Sequence, residues 1–220
     1  MERQFDKELK ILKEKLLRMA SLAEESVILA VNSLKERKEE LAQKVFNGEE
    51  TINLLDVEID RLSLRLLALR QPMAVDLRFI TSAMKIASEL ERIGDQSVNI
   101  AQRALELLRL PLLKPLIDIP RMASLAQNMV NDSLSAFVNR DEKLARDVCQ
   151  RDDEVDDLND QIFRELLTYM MQDPSTINRA VDLILVGRHL ERIADHATNI
   201  SEDVIYYVKG KTIKHHCEKR

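Results

Sequence analysis

Apolar residues recur every three or four positions along most of this chain, which is the spacing of one face of an α-helix. One such series spans Leu9–Val27, and a second spans Leu41–Leu69. A third begins near Pro72, because proline costs no hydrogen bond in the first turn of a helix, and it continues to Leu107. The pattern predicts three long helices of about thirty residues each, joined by short turns and therefore packed as antiparallel neighbours.

The same unit then occurs a second time. The string RMASLA stands at 18–23 and again at 121–126, an offset of 103 residues, and LERIGDQSVNI at 90–100 matches LERIADHATNI at 190–200, an offset of 100. The offset changes near Gln71-Pro72 in one copy and Asp173-Pro174 in the other, where a turn tolerates an insertion. We therefore predict an all-α protein of two pseudo-symmetric three-helix bundles, arranged as an internal repeat.

Three prolines interrupt the helical pattern between Pro111 and Pro120, and a cluster of this kind is typical of a linker. The interruption predicts a first three-helix bundle in residues 1–110 and a linker in 111–120. The second three-helix bundle is predicted in 121–208, and a flexible tail in 209–220.

Composition narrows the class of protein. Four glycines and five prolines among 220 residues are too few for a β-sandwich or barrel, which needs frequent turns. A net charge of −5 argues against a nucleic-acid partner, since such proteins usually have a basic surplus. Two cysteines cannot form a disulfide framework, and the sequence has neither a membrane-spanning run nor a signal peptide. We expect a soluble, cytoplasmic protein.

Each third helix carries the motif E-x-x-x-D, as Glu91/Asp95 in the first unit and Glu191/Asp195 in the second. Residues four apart lie on the same helix face, and two like charges there are unfavourable unless a cation lies between them. At 100° per residue, both carboxylates point away from the apolar seam of their helix. The motif therefore predicts acidic pairs on the outside of the bundles.

The second helices add further acids on the flank of their apolar seams. Where the second and third helices are adjacent, these acids form one outer groove per unit, and Glu24 of the first helix is a further candidate for the groove. Oxygen-only groups suit Mg²⁺, Mn²⁺, Ca²⁺ or iron ions, and the identity of the ion stays open. The acids on the second helices are Glu49, Asp56 and Asp60 in the first unit, and Asp152, Asp156 and Asp160 in the second.

A simpler interpretation is a solvated surface, in which Lys85, Arg92 and Arg192 pair with the acids. Repetition of the spacing in both units favours the metal site, because a solvated face has no reason to repeat it. Gly94 also stands inside the motif and aligns with Ala194. A glycine within a helix costs about 1 kcal/mol relative to alanine, so a small residue is required here, either for close helix approach or for a metal.

A ferritin-like redox or storage protein is the alternative function. It requires inward-facing carboxylates and a Glu-x-x-His motif, and none of the four histidines has Glu three residues earlier. His189 and His196 flank the acidic motif, and we favour a surface role for both over a metal-ligand role. The adjacent residues 215–217 (His, His, Cys) lack the spacing of a zinc site, and Cys149 is expected to fill the core. No catalytic motif is present, so an enzyme is not expected.

Several strings of the sequence are similar to those of one known family, the PhoU family, and the resemblance extends over nearly the whole chain up to Gly210. They are RQP at 70–72, DLR at 76–78, ERIGD at 91–95, LTYMMQD at 167–173, ERIAD at 191–195 and YYVKG at 206–210.

The resemblance implies a cytoplasmic, homodimeric regulator associated with the bacterial phosphate-specific transport system. Such proteins act between the ATPase subunit of the phosphate ABC transporter and a membrane-bound sensor histidine kinase. When phosphate is plentiful, they keep the phosphate-starvation response off and limit uptake. Whether this chain binds phosphate directly is open, because the sequence contains no phosphate-binding loop.

The resemblance also implies surface-bound metal ions held by E(D)-x-x-x-D motifs. This expectation applies to Glu91, Asp95, Glu191 and Asp195, and further to Asp56 and Asp60. The fifth helix differs from the second, because Asn159 aligns with Asp56, and Phe163 aligns with Asp60. The ligands Asp152, Asp156 and Asp160 are therefore assigned from their helix face only, and the two sites are expected to be asymmetric.

Overall fold

A computed structural model describes residues 4–211 and 213 of the chain, and over that part the protein is entirely helical with no β-strand. A 3₁₀ turn, Pro174–Thr176, precedes α6. The prediction of an all-α fold with two three-helix units is confirmed. The helices are α1 (Gln4–Glu36), α2 (Glu39–Arg70), α3 (Val75–Leu108), α4 (Asp118–Asn139), α5 (Glu142–Gln172) and α6 (Ile177–Lys209).

Two-residue turns join the first two helices of each unit. Arg37 after α1 and Arg140 after α4 occupy matching positions of the repeat, and both have φ of 56°, the left-handed conformation that ends many helices. The Arg37 guanidinium donates hydrogen bonds to the carbonyls of Leu108 and Leu110 at 2.7 and 2.8 Å, which satisfies the open end of α3. Asp141 caps α5 by accepting hydrogen bonds from two backbone amides.

Two boundaries differ from the sequence prediction. Helix α3 begins at Val75 and not at Pro72, because Gln71 and Ala74 both have positive φ and the chain reverses between them. Helix α4 begins at Asp118 and not at residue 121, and Pro120 stands in its first turn, where its missing N–H costs nothing. Asp173 caps the 3₁₀ turn that precedes α6, by accepting a hydrogen bond from the Ser175 amide.

Each set of three helices packs around its own apolar seams, and α3 also packs against α6, so that one continuous core extends through both units. Most predicted seam residues are fully buried, among them Leu16, Ile59 and Ile93. Leu69, predicted as the last seam residue of α2, is instead exposed in the final turn of that helix. No helix among the described residues is sufficiently long and apolar to span a bilayer.

Candidate functional site

The first acidic site lies where α2 packs against α3 and consists of Glu49, Asp56, Asp60, Glu91 and Asp95. Burial, together with the nearby carboxylates of Asp95 and Asp56, raises the pKa of Glu91 above its ordinary value. Burial and the carboxylate of Asp60 raise the pKa of Asp56. The structure therefore brings the predicted acids of both helices together, and it leaves their negative charges incompletely balanced.

The second acidic site lies between α5 and α6 and consists of Asp152, Asp156, Asp160, Glu191 and Asp195. Burial and the carboxylates of Asp195 and Asp156 raise the pKa of Asp152 from 3.8 to about 6. Burial and the same kind of repulsion also raise the pKa values of Asp156 and Asp195. Asp160 is exposed at the edge of the site, where it acts on Asp156.

One carboxylate of the second site lies beside a hydroxyl group of the neighbouring helix. Asp152 Oδ1 and the Thr198 hydroxyl on α6 are both buried. The Thr198 hydroxyl lowers the pKa of Asp152, but burial and the carboxylates of Asp195 and Asp156 outweigh this effect. A buried carboxylate among other carboxylates is a natural position for a cation or a cationic side chain.

The two sites differ around the glutamate of the motif. In the second site, Asn159 Nδ2 donates a hydrogen bond to Glu191 Oε2 at 2.5 Å, and Arg188 forms an ion pair with the other carboxylate oxygen. The position of Asn159 is taken by Asp56 in the first site, so Glu91 faces another acid where Glu191 faces an amide. The asymmetry expected from Asn159 is thus present in the structure.

Close packing of helices explains the small residue inside the motif. A Cβ atom on Gly94 would lie 3.2 Å from Ile52 Cδ1, at the contact between α3 and α2. A second glycine, Gly187 on α6, has a similar role, since a Cβ there would lie 2.9 Å from Asn159 Oδ1. The helices that carry the acids are therefore held at short distance by small residues.

The donor chemistry of both sites fits a hard cation, because every donor is a carboxylate, amide or hydroxyl oxygen. In the arrangement of residues 4–211, however, no three His, Cys, Asp or Glu side chains converge closely enough to hold a metal ion. The metal ligands expected from the sequence therefore stay a prediction. The acids lie on faces between neighbouring helices and outside the apolar seams, which is the opposite of the ferritin-like arrangement.

Two expected neighbours of the acidic sites lie elsewhere. Glu24 of α1 accepts a hydrogen bond from Asn131 of α4 at 3.4 Å, so it faces the other unit and not the first acidic site. Lys85, considered as a partner of the acidic motif, forms an ion pair of 2.8 Å with Asp203 of α6. Both were misplaced because the contact between the two units cannot be read from the helical period.

The two described histidines lie in the contact between α3 and α6, and the expected surface role is therefore wrong. His189 Nδ1 donates to Gln96 at 2.8 Å, and His196 Nδ1 donates to Glu89 at 2.7 Å. Burial and the nearby Arg192 and Arg103 lower the pKa of His189 to about 4, so this imidazole is neutral at physiological pH.

The histidine pairs follow the internal repeat. Glu89 aligns with His189 and Gln96 aligns with His196 at the offset of 100 residues, so the same two positions meet twice across the interface. Burial alone would raise the pKa of Glu89, but hydrogen bonds from His196 and Asn199 lower it. The sequence contained a signal for these pairs, because the offset of 100 residues aligns two polar residues of α3, Glu89 and Gln96, with two histidines of α6.

The remaining cysteine and histidine predictions have different outcomes. Cys149 is buried in α5, as expected for a residue that fills the core. The residues 215–217 lie outside the part of the chain that the structure describes.

Comparison with known proteins gives one consistent family. The family model for the PhoU domain matches this chain twice, over residues 16–104 and 119–204. The chain is 46% identical over 209 residues to a phosphate-specific transport system accessory protein PhoU homolog of Aquifex aeolicus, covering 95% of each chain. It is 44% identical over 210 residues to the homolog of the same name in Caulobacter vibrioides, covering 95% of this chain and 91% of that one.

Solved structures show the same architecture. The crystal structure of PhoU from Pseudomonas aeruginosa superimposes with a TM-score of 0.92 at 42% identity, covering 94% of this chain and all of the other (100%). The phosphate transport system regulatory protein PhoU from Streptococcus pneumoniae superimposes with a TM-score of 0.88 at 31% identity, covering 96% of this chain and 100% of that one.

Proposed function

The chain belongs to the PhoU family, and we propose on this basis that it is a regulatory accessory protein of a phosphate-specific transport system. The observation that carries the proposal is the match of both halves to the family model, together with relatives that align over almost their whole length. Those relatives are named as accessory proteins of phosphate transport and not as enzymes. The proposed role is therefore regulation without catalysis.

The finer form of the proposal concerns partners. This protein is a cytoplasmic homodimer that couples the ATPase subunit of the phosphate ABC transporter to the membrane-bound sensor histidine kinase. When phosphate is plentiful, the coupling limits uptake and keeps the phosphate-starvation response off. Support comes from the two acidic sites, because carboxylates with raised pKa values are positioned to accept cationic groups of a partner.

Metal ions form a second part of the proposal. The first acidic site would hold a divalent or iron ion through Glu91, Asp95, Asp56 and Asp60. A bound cation supplies positive charge that neutralises the carboxylates. The protein contributes the oxygen ligands and the close helix packing that keeps them together. The corresponding residues of the second acidic site are Asp152, Asp156, Asp160, Glu191 and Asp195.

Partner binding is tested by pull-down of the full chain with the transporter ATPase subunit and with the cytoplasmic part of the sensor kinase. The test variant carries Gln or Asn at Glu91, Asp95, Glu191 and Asp195. We expect binding by the wild-type protein and clear loss in this variant. Absence of binding to either partner, with and without added divalent metal, would contradict the proposal. The control variant places Gln at four exposed acids, Glu14, Glu25, Glu39 and Glu40.

Metal binding is tested by elemental analysis of the untagged protein purified without chelators. The comparison is a variant with Ala at Glu91, Asp95, Glu191 and Asp195, whose fold is checked by circular dichroism. Stoichiometric metal in the wild-type protein and its loss in the folded variant would support the sites. Equal metal content in both proteins, or none in either, would remove metal from the proposal and leave the acids as docking charges.

A further inference from the structure

A cavity of about 240 Å³ lies at one end of the molecule, where α1, α3, α4 and α6 meet. None of its lining residues belongs to either acidic site. Its walls combine apolar and aromatic side chains with positive charges, whereas the chain as a whole has a net charge of −5. The lining residues that matter for recognition are Lys10, Lys13, Asp76, Phe79, Arg140 and Tyr207.

The internal repeat contains a second, matching cavity, and that one is almost completely filled by side chains. At the matching place in the other half, the free volume is only about 10 Å³. Leu113 and Leu116, from the segment between α3 and α4, line that counterpart, whereas Lys10 and Lys13 of α1 line the larger cavity. One copy of the cavity is thus closed by leucines, and the other is kept open and carries lysines.

The two arginines at matching positions are also used differently. Arg37 donates hydrogen bonds to the carbonyls that end α3. At the end of α6 a different residue, Arg78, donates to the carbonyl of Tyr207 at 3.1 Å. The guanidinium of Arg140 instead lies over the Tyr207 ring, 5.3 Å from its centroid, and lines the cavity.

The two lysines of the cavity are available for a ligand. Lys10 and Lys13 form no ion pair with any residue that the structure describes, although ion pairs are frequent elsewhere on α1 and α2. Three cationic groups therefore face the cavity against one carboxylate, that of Asp76. Clusters of lysine and arginine are the usual recognition elements for phosphate groups.

Aromatic rings form the apolar wall. Phe79 stacks on Phe137 with ring centroids 5.6 Å apart, and Tyr207 lies 5.8 and 5.5 Å from the two of them. Phe79 is only partly buried and presents surface to the cavity. Rings arranged in this way favour contact with a further flat ring by stacking or edge-to-face packing.

We propose that this cavity binds a small organic phosphate with one ring system, of the size of a nucleoside monophosphate. The ring packs against the exposed part of Phe79, the phosphate lies near Lys10, Lys13 and Arg140, and Asp76 accepts a hydrogen bond from a ring or sugar donor. The volume is below the ~300–1,000 Å³ of sites for larger ligands, so the phosphate extends toward solvent, where the two lysines lie.

Isothermal titration calorimetry with the full chain tests the proposal, with adenosine monophosphate as the probe. Inorganic phosphate and adenosine are titrated separately, because each contains only half of the recognised chemistry. The variant Lys10→Gln/Lys13→Gln removes two cations without changing helix propensity strongly. The control Lys44→Gln/Lys143→Gln removes two exposed lysines of α2 and α5, so it has the same net charge as the test variant.

We expect adenosine monophosphate to bind with a dissociation constant below about 1 mM. Affinity is expected to fall about tenfold or more in Lys10→Gln/Lys13→Gln and to stay within about twofold in the control. Undetectable binding to the wild-type protein, or equal binding by both variants, overturns the proposal. Inorganic phosphate or adenosine binding as tightly as the monophosphate also overturns it, because then one half of the cavity contributes nothing.

Discussion

Replacing Asp152 by Asn removes a charge that is unfavourable in the folded protein. The pKa of this carboxyl is raised from 3.8 to about 6 by burial and by repulsion from Asp195 and Asp156. The carboxyl ionises more readily in the unfolded chain than in the folded one, so we expect Asp152→Asn to raise the free energy of unfolding at about pH 7.5 in the presence of a chelator.

The magnitude follows from the pKa difference. About two pKa units correspond to about 3 kcal/mol, and solvent screening of this partly exposed group reduces the expected gain to about 1–2 kcal/mol. The gain is complete above about pH 6, where Asp152 is ionised in both states. It decreases as the pH falls from about 6 toward 3.8, and it disappears below that range, where Asp152 is protonated in both states.

Urea denaturation followed by far-UV circular dichroism measures this difference at a series of pH values. The matched control is Asp157→Asn, an exposed position on the same helix, where we expect a change within about 0.5 kcal/mol. A loss of stability in Asp152→Asn at neutral pH would refute the reasoning. So would a gain of equal size at every pH, because the argument requires the gain to depend on ionisation.

Three further predictions concern packing, capping and the interface between the units. Gly48→Ala is expected to raise the free energy of unfolding by about 0.5–1 kcal/mol, because nothing lies within 4 Å of the added Cβ. Gly94→Ala is expected to raise the free energy of unfolding by less, or to lower it, because its Cβ would lie 3.2 Å from Ile52 Cδ1. Equal increases for both variants in urea denaturation would contradict this prediction. Arg37→Ala is expected to lower the free energy of unfolding by about 1–2 kcal/mol, because carbonyls at the end of α3 lose their hydrogen-bond donor. An unchanged urea denaturation midpoint would contradict this prediction. Burial lowers the pKa of His189 from 6.5 to about 4, so its contribution to stability is present above pH 6.5 and is lost as the pH falls toward 4. The difference in unfolding free energy between the wild-type protein and His189→Gln should therefore change over this pH range. A difference that stays constant would contradict the prediction.

The helices and the internal repeat were predictable because both depend on local periodicity. Residues such as Leu16 and Ile59 are spaced to face one side of a helix, and they are buried. The outward direction of Glu91 and Asp95 followed from the same geometry, since both stand far from the apolar seam of α3. Proximity of Asp56 to Glu91 required only that α2 and α3 be neighbours, as short turns demand.

Contacts between the two units were not predictable from the period. The pairs Glu89–His196 and Gln96–His189 depend on the packing of α3 against α6, which no single helix specifies. Glu24 was misplaced for the same reason, because its partner belongs to α4.

Prediction of the full set of residues in the acidic sites required the alignment of the two units and the side-chain rotamers. Glu49 stands at the position that matches Asp152, and it contributes to the raised pKa of Glu91, but it was left out of the predicted ligands. Alignment of Glu49 with Asp152 at the offset of 103 residues was the signal available. Arg188, which pairs with Glu191, has no charged counterpart in the first unit, where Ser88 stands. Side-chain pairing of this kind depends on rotamers that the spacing alone does not determine.

We propose that the regulatory role of this protein depends on its two acidic sites. A reporter of the phosphate-starvation response tests this dependence, in cells that lack the native gene and express the chain at equal levels. With ample phosphate, we predict low reporter activity with the wild-type protein and with Gln at Glu14, Glu25, Glu39 and Glu40. High activity is predicted when Glu91, Asp95, Glu191 and Asp195 are neutralised. Full repression by that neutralised variant would contradict the claim.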